Sequence, residues 1–204
     1  DGNDIVIGGN ANDSFVGGNG NDTLAGHGGN DRLEGGTGLN ELIGSTGNDI
    51  YVVTNRTDST VEYAGEGLDT VETTIGIYAL QANVENLTFT DHATHGAGVG
   101  NMLDNVINGG DGIDDLYGRA GNDTLNGWGS ANTLLGQEGD DVYFVVTAGD
   151  SVIEFAGQGN DTVRTTLSAF VLRDNVENLI YAEELDYFSP GAFTGIGADT
   201  ANRF

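Results

Sequence analysis

Residues 17–25 read GGNGNDTLA: two glycines, a third two places on, an aspartate, a small polar residue and a leucine. The unit recurs in register on both sides, as GGNANDSFV (8–16), GHGGNDRLE (26–34), GGTGLNELI (35–43) and GSTGNDIYV (44–52). It returns at 100–144 as GNMLDNVIN, GGDGIDDLY, GRAGNDTLN, GWGSANTLL and GQEGDDVYF, and residues 1–7 match its positions three to nine. A fixed period over this many copies is a repeat architecture, in which a unit buries its apolar face only by stacking on its neighbours.

Glycine adopts backbone angles that other residues resist, so the first six positions of each nonad read as a turn. The last three read as a minimal strand whose centre points one way and whose neighbours point the other. The centres are Val6, Phe15, Leu24, Leu33, Leu42 and Tyr51, then Ile107, Leu116, Leu125, Leu134 and Tyr143, all apolar or aromatic. No segment carries a cap followed by a long 3.6-residue apolar stripe, which argues against helix. The expected fold class is therefore all-β, with many very short strands separated by glycine-rich turns.

One buried side chain per nonad makes a thin core. Burial worth ~1.5–3 kcal/mol per side chain does not comfortably offset ~1–2 kcal/mol of backbone entropy for every residue ordered. Charge points to what else holds the chain. Of 204 residues, 32 are acidic and 6 are lysine or arginine, a formal net charge of −26. That excess opposes compaction and argues against nucleic acid and anionic lipid as partners, since both need the opposite sign. It fits a chain that collects cations. The chain has no cysteine, so neither a disulfide nor a thiolate site is available. No stretch approaches the ~18 apolar residues of a membrane span, and no signal peptide is visible.

If each nonad reverses the chain, two nonads make one coil, and turns two nonads apart stack ~4.8 Å from one another. Asp13 then lies by Asp31, Asp31 by Asp49, Asp4 by Asp22, and Asp123 by Asp141. Carboxylates at that spacing repel by roughly 3–4 kcal/mol at an effective dielectric of about 20. A divalent cation between them turns repulsion into coordination. Carboxylate and carbonyl oxygens suit a hard ion of flexible geometry, calcium before magnesium.

A longer period overlies the nonads. It superposes Asp49 on Asp141, Tyr51 on Tyr143, Glu62 on Glu154, Asp69 on Asp161 and Glu85 on Glu177. The expected organisation is a nonad array at 1–52, a longer-rung segment at 53–99, a second array at 100–144, and a second longer-rung segment with the start of a third array at 145–204. One continuous solenoid is the expectation, with a linker between two rolls as the alternative. Both ends read as cut from a longer array.

These nonads resemble the RTX, or hemolysin-type, calcium-binding β-roll. The resemblance implies a right-handed parallel solenoid, several calcium ions, and a secreted, extracellular or cell-surface bacterial location. It also implies export unfolded through a type I system. In that family each ion lies between turns two nonads apart. The first turn gives its aspartate and the carbonyls at positions two and four; the second gives its aspartate and the carbonyls at positions one and three. Carried over, one site is Gly9, Ala11 and Asp13 with Gly26, Gly28 and Asp31. A second is His27, Gly29 and Asp31 with Gly44, Thr46 and Asp49. A third is Arg119, Gly121 and Asp123 with Gly136, Glu138 and Asp141. The same rule joins Asp4 to Gly17, Asn19 and Asp22.

The pattern is weakened where asparagine replaces the aspartate. These cases are Gly18, Gly20 and Asp22 with Gly35, Thr37 and Asn40; Gly110, Gly112 and Asp114 with Gly127, Gly129 and Asn132; and Asn105 with Gly118, Ala120 and Asp123. There a water or an asparagine hydrogen-bond ladder is the alternative filling. Asp69 and Asp161 stand further beyond Asp49 and Asp141 than two nonads would place them, and are weaker candidates.

Other signals have plainer readings. His92 and His95 have no counterpart in the second copy of the longer period, and read as an exposed loop. Glu62, Glu85 and their copies read as structural parts of the rung, and no nucleophile–histidine arrangement appears. Trp128 reads as one exposed tryptophan at a turn. Residues 182–193 fit neither period and read as a bulging loop or partner contact. The expected function is a non-catalytic calcium-binding module of a longer chain whose neighbouring domains lie outside it. The alternative is an accessory module that binds anionic or other glycans for a polysaccharide-modifying enzyme or an adhesin.

Overall fold

The structure is a computed structural model and describes residues 1–90 and 95–182. The chain divides into two compact units, 1–92 and 93–204, and each is taken by itself. Among the described residues there are strands and turns but no helix.

The first unit holds β1 (Ile5–Ile7), β2 (Ser14–Asn19), β3 (Thr23–Gly28), β4 (Arg32–Thr37), β5 (Glu41–Thr46), β6 (Ile50–Val53), β7 (Ser59–Val61), β8 (Thr70–Thr73), β9 (Ile77–Ala79) and β10 (Asn86–Phe89). Alternate strands pair, all in parallel. One sheet runs β1-β3-β5-β7 and the other runs β2-β4-β6-β8-β10. The second unit holds β11 (Gly96–Val99), β12 (Val106–Asn108), β13 (Asp114–Ala120), β14 (Thr124–Asn126), β15 (Thr133–Glu138), β16 (Val142–Val145), β17 (Ser151–Val152), β18 (Thr162–Thr165) and β19 (Asn178–Tyr181). Its sheets are β11-β13-β15-β17 and β12-β14-β16-β18-β19, again parallel. Each unit is a parallel β-solenoid in which two nonads close one coil.

Stacking places like on like. Leu24 is opposite Leu42, Phe15 opposite Leu33, and Leu33 opposite Tyr51. In the second unit Leu116 faces Leu134, and Ile107 faces Leu125, which faces Tyr143. Leu24, Leu33, Leu42, Tyr51, Ile107, Leu116, Leu125, Leu134 and Tyr143 are all fully buried, while Val6 and Phe15 are half-buried. The core is thus a column one side chain wide on each inner face.

Some strands are the minimal ones expected, as β1, β12 and β14 are, and others are longer. β3, β4 and β5 each run from position seven of one nonad into position three of the next. The second residue of the nonad bends there without leaving the ladder: His27 pairs with Ser45 and Gly28 with Thr46. That bend carries a positive φ at His27, Ser45, Arg119 and Gln137, a conformation uncommon for residues with a Cβ; Trp128, at the same nonad position, has a positive φ beyond the end of β14. After β3, β4 and β5 the turn proper is confined to positions four to six.

Coil length varies in one place per unit. Leu33 pairs with Tyr51 at the regular step of two nonads, but Tyr51 pairs with Val71, two places beyond that step. Val71 then pairs with Leu87, two places short of it. The second unit repeats this at Tyr143–Val163 and Val163–Leu179. The long coil and the short coil together span the same length of chain as two regular ones.

Candidate metal centres

Position four brings the turns close enough to form a site. Gly29, Gly47, Gly121 and Gly139 have positive φ, and a Cβ added to any of them would strike a carbonyl of the preceding coil. On Gly29 it would lie 2.7 Å from the Ala11 oxygen. Only glycine lets successive turns approach this closely.

The aspartates at position six then form a ladder. The Asp13 N–H donates to Asp31 Oδ1 at 2.8 Å, Asp31 N–H to Asp49 Oδ1 at 2.7 Å, and Asp49 N–H to Asp69 Oδ1 at 2.8 Å. The Asp69 N–H ends the series on Glu85 Oε2 at 2.9 Å. In the second unit Asn105, Asp123, Asp141 and Asp161 donate in turn to Asp123, Asp141, Asp161 and Glu177. A glutamate finishes each column, in register with the last aspartate across the short coil.

One oxygen of each carboxylate is used in this way and the other is not. Asp31, Asp49, Asp123 and Asp141 are buried, and their Oδ2 atoms have no hydrogen-bond partner. A buried polar atom without a partner costs about 1–3 kcal/mol, and more when charged. These oxygens lie over the position-one glycine of their own nonad, where a Cβ on Gly26 or Gly118 would strike the carboxylate of Asp31 or Asp123. Asp13 Oδ2 and the Gly26 carbonyl oxygen each lie 2.5 Å from one point, the Cβ position of Gly8. The carboxylate of one turn and the position-one carbonyl of the next therefore converge. Asp22 does the same with the Gly35 carbonyl, and the Asn105 side-chain oxygen with the Gly118 carbonyl. Such oxygen sets fit a hard cation.

Burial, reinforced by neighbouring carboxylates, pushes Asp49 up to about 6, Asp69 and Asp141 up to about 7, and Asp123 up to about 8. Burial also raises Asp58, Asp114 and Asp161. Charge of the opposite sign is what these groups lack.

The opposite column of each unit is built differently. Asp4 N–H donates to Asp22 Oδ1, and Asp22 N–H to Asn40 Oδ1 at 3.0 Å. The Asn40 amide then donates through Nδ2 to Asp58 Oδ1 at 2.8 Å. In the second unit Gly96 and Asp114 donate to Asp114 and Asn132, and Asn132 Nδ2 donates to Asp150 Oδ1 at 3.1 Å. Asn40 and Asn132 thus bridge coils by hydrogen bonds. Asn105 bonds locally as well, its Oδ1 accepting the Asn101 N–H at 2.7 Å.

Two groups of residues were not anticipated in these roles. Asparagine at position five makes an outer ladder of opposite sense: Asn30 N–H donates back to Asn12 Oδ1, Asn48 N–H to Asn30 Oδ1, and Leu68 N–H to Asn48 Oδ1. Its recurrence in the nonad was the available signal. The second group is Glu62 and Glu154. Asp49, Glu62 and Asp69 are buried with ligand oxygens within 4.8 Å of one another, as are Asp141, Glu154 and Asp161. The Tyr51 hydroxyl donates to Glu62 Oε1 and accepts the Gly44 N–H at 2.8 Å; Tyr143, Glu154 and Gly136 repeat the arrangement. Glu62 is pushed up to about 8 and Glu154 to about 7, chiefly by burial.

The remaining candidates lie away from these columns. His95 is exposed, with Nε2 3.4 Å from Asp115 Oδ2. Trp128 is half-buried at a positive-φ position, which corrects its reading as an exposed ring. His92 and residues 183–193 lie outside the described residues.

A family model described as the RTX calcium-binding nonapeptide repeat, in four copies, matches residues 1–33, 25–53 and 108–143. These nonads are RTX repeats. RTX repeats bind calcium and occur in secreted bacterial proteins. No helix among the described residues is long and apolar enough to cross a membrane. The chain is also similar in part to two Rhizobium meliloti (strain 1021) proteins. Endo-1,3-1,4-beta-glycanase ExsH is 43% identical over 65 residues, which is 31% of this chain and 14% of that protein. Endo-1,3-1,4-beta-glycanase EglC is 37% identical over 67 residues, with the same shares. The chain spans only a small part of the length of either relative.

Proposed function

We propose that this chain is a non-catalytic calcium-binding β-roll module of a secreted bacterial protein, which folds when calcium binds after export in an unfolded state. The observation that carries the reading is the set of buried, unpartnered Oδ2 atoms on Asp31, Asp49, Asp123 and Asp141. Calcium would be held by the three intact nonad pairs, Asp13–Asp31, Asp31–Asp49 and Asp123–Asp141, together with the turn carbonyls named above. Bound there, the ion would supply positive charge and accept lone pairs from carboxylate oxygens, those of Asp31, Asp49, Asp123 and Asp141 among them without any hydrogen bond. The chain supplies the stacking: glycine turns that let coils approach, and a backbone ladder that fixes one oxygen of each carboxylate.

Folding and binding are then linked. Each ion that binds only the folded chain stabilises it by RT ln(1 + [Ca]/Kd), about 2.7 kcal/mol at a hundredfold excess over Kd. Several such contributions are the size needed to supplement a core one side chain wide. In chelator at low salt, circular dichroism should report a disordered chain, and calcium should convert it to β structure. A fully folded protein in chelator under those conditions would refute the proposal.

A second reading is favoured by the similarity to two glycanases: the module serves a polysaccharide-acting parent protein by holding glycan. Calcium-dependent retention on immobilised β-glucans or anionic glycans is the expected result. No retention across a broad glycan panel would leave the module with calcium alone.

A further inference from the structure

Coil stacking puts Glu62 in an unusual column. Val61 pairs with Ile43, so the next residue, Glu62, continues the regular series Gly26, Gly44. Val152 pairs with Leu134, and the same step leads from Gly118 and Gly136 to Glu154. These are position-one residues, where a Cβ on Gly26, Gly44, Gly118 or Gly136 would strike a carboxylate. Glutamate is accommodated in this column because its coil is longer. The strands before the turn keep the regular step, at Ile43–Val61 and Leu134–Val152. The strands after it, at Ile50–Thr70 and Val142–Thr162, pair two places beyond that step. The two additional residues therefore lie in the turns 62–69 and 154–161, between the glutamate and the aspartate.

The lengthened turn leaves the glutamate beside both aspartates. Glu62 Oε1 accepts from the Tyr51 hydroxyl, while Glu62 Oε2 and Asp49 Oδ2 are buried and unpartnered. Glu154 Oε2 and Asp141 Oδ2 are equally unpartnered. Glu62 is 7% exposed and Glu154 6%. Each cluster thus gathers three carboxylates with at least two oxygens that water does not reach and no donor satisfies.

We infer that Asp49–Glu62–Asp69 and Asp141–Glu154–Asp161 are a second class of divalent-cation site, one per unit, built from three side-chain carboxylates. The inference rests on the calcium-binding reading of the nonads, whose pairs instead combine two aspartates with backbone carbonyls. Oxygen donors without nitrogen or sulfur, on a lengthened turn, select a hard ion of calcium's size and tolerance of geometry. The site shares Asp49 or Asp141 with the nonad array and adds to it a glutamate and an aspartate that the nonad pairs do not use.

Calcium stoichiometry of the full chain, counted by native mass spectrometry on E62Q/E154Q and on D31N/D123N, separates the two classes. E62Q/E154Q should lose two ions and keep those of the nonad pairs, whereas D31N/D123N should lose nonad ions and keep these two. An unchanged count in E62Q/E154Q overturns the inference and leaves the nonad reading standing. An unchanged count in D31N/D123N with loss in E62Q/E154Q does the reverse. Glutamine still accepts from Tyr51, so the fold should survive. If the double variant does not fold, the single variants E62Q and E154Q should each lose one ion. A second readout is terbium emission excited through tyrosine, which should fall severalfold in Y51F/Y143F; unchanged emission counts against an ion beside these rings.

Discussion

Replacing Asp49 by asparagine should move stability in opposite directions with and without calcium. Asp49 is fully buried between Asp31 and Asp69, and its Oδ2 has no partner. Two routes give the cost of its charge in the metal-free fold. Adjacent carboxylates ~4.8 Å apart repel by roughly 3–4 kcal/mol at an effective dielectric of about 20. Burial, with the neighbouring carboxylates a smaller cause, raises the carboxyl from 3.8 to about 6, which disfavours the ionised folded state by about 3 kcal/mol at ~1.4 kcal/mol per unit. The sign follows from linkage: a carboxyl whose folded value is raised stabilises the fold below its unfolded value, and that contribution is lost as pH rises through about 6. Near neutral pH D49N should therefore stabilise the metal-free chain by about 2–3 kcal/mol. Its amide would bridge coils as Asn40 does to Asp58. In saturating calcium the same change removes a ligand and should cost at least ~3 kcal/mol, about one ion at hundredfold excess. Urea denaturation followed by circular dichroism, in chelator and in calcium, reads both values. Equal destabilisation in the two conditions would show that Asp49 serves only as a hydrogen-bond acceptor and would refute this reasoning.

The converse change, N40D, puts a carboxylate between Asp22 and Asp58; it should destabilise the metal-free chain by about 3 kcal/mol and raise the calcium needed for half-folding. Gly26→Ala would place a Cβ 2.8 Å from Asp31 Cγ, and should cost about 1–3 kcal/mol and weaken calcium binding. Gly9→Ala meets nothing within 4 Å and should change neither, which thermal melts in calcium would check. Asp69, Asp123 and Asp141 are pushed up to about 7, 8 and 7. By the same linkage sign the metal-free fold should be more β-rich near pH ~5 than near pH ~8. Calcium must displace these protons, so adding it near neutrality should release protons, detectable with a pH indicator, and its affinity should fall as pH falls.

Much of the fold is legible because the nonad carries two kinds of information at one period. Leu24, Leu33 and Leu42 announce the buried column by chemistry alone, and the glycines announce the turn. The stacking of every second nonad follows from the reversal of each one, and it brings Asp31 beside Asp49. What escaped was information about pairs. Strand length could not be read from GGN or GHG, because those residues extend only when a neighbouring coil offers its ladder. Asn40 could be seen to lack charge, but its bridge to Asp58 depends on the coil beyond the array. Glu62 recurs as Glu154, yet its function-bearing position appears only when counted from Gly44 along the stack. The two-residue lengthening after it hides that register in a linear alignment of nonads.

The paired long and short coils behave like a frameshift and its suppressor. Two residues added between Val61 and Thr70, if left uncorrected, would leave every later coil two residues out of step along the chain. Removing two in the next coil, where Val71 meets Leu87, restores the reading frame of the stack. A turn with a new side chain can thus be spliced into a periodic solid while regular coils before it keep their phase. The second unit carries the same insertion and the same correction at Val163 and Leu179. The lengthening and its correction thus occur together in both units.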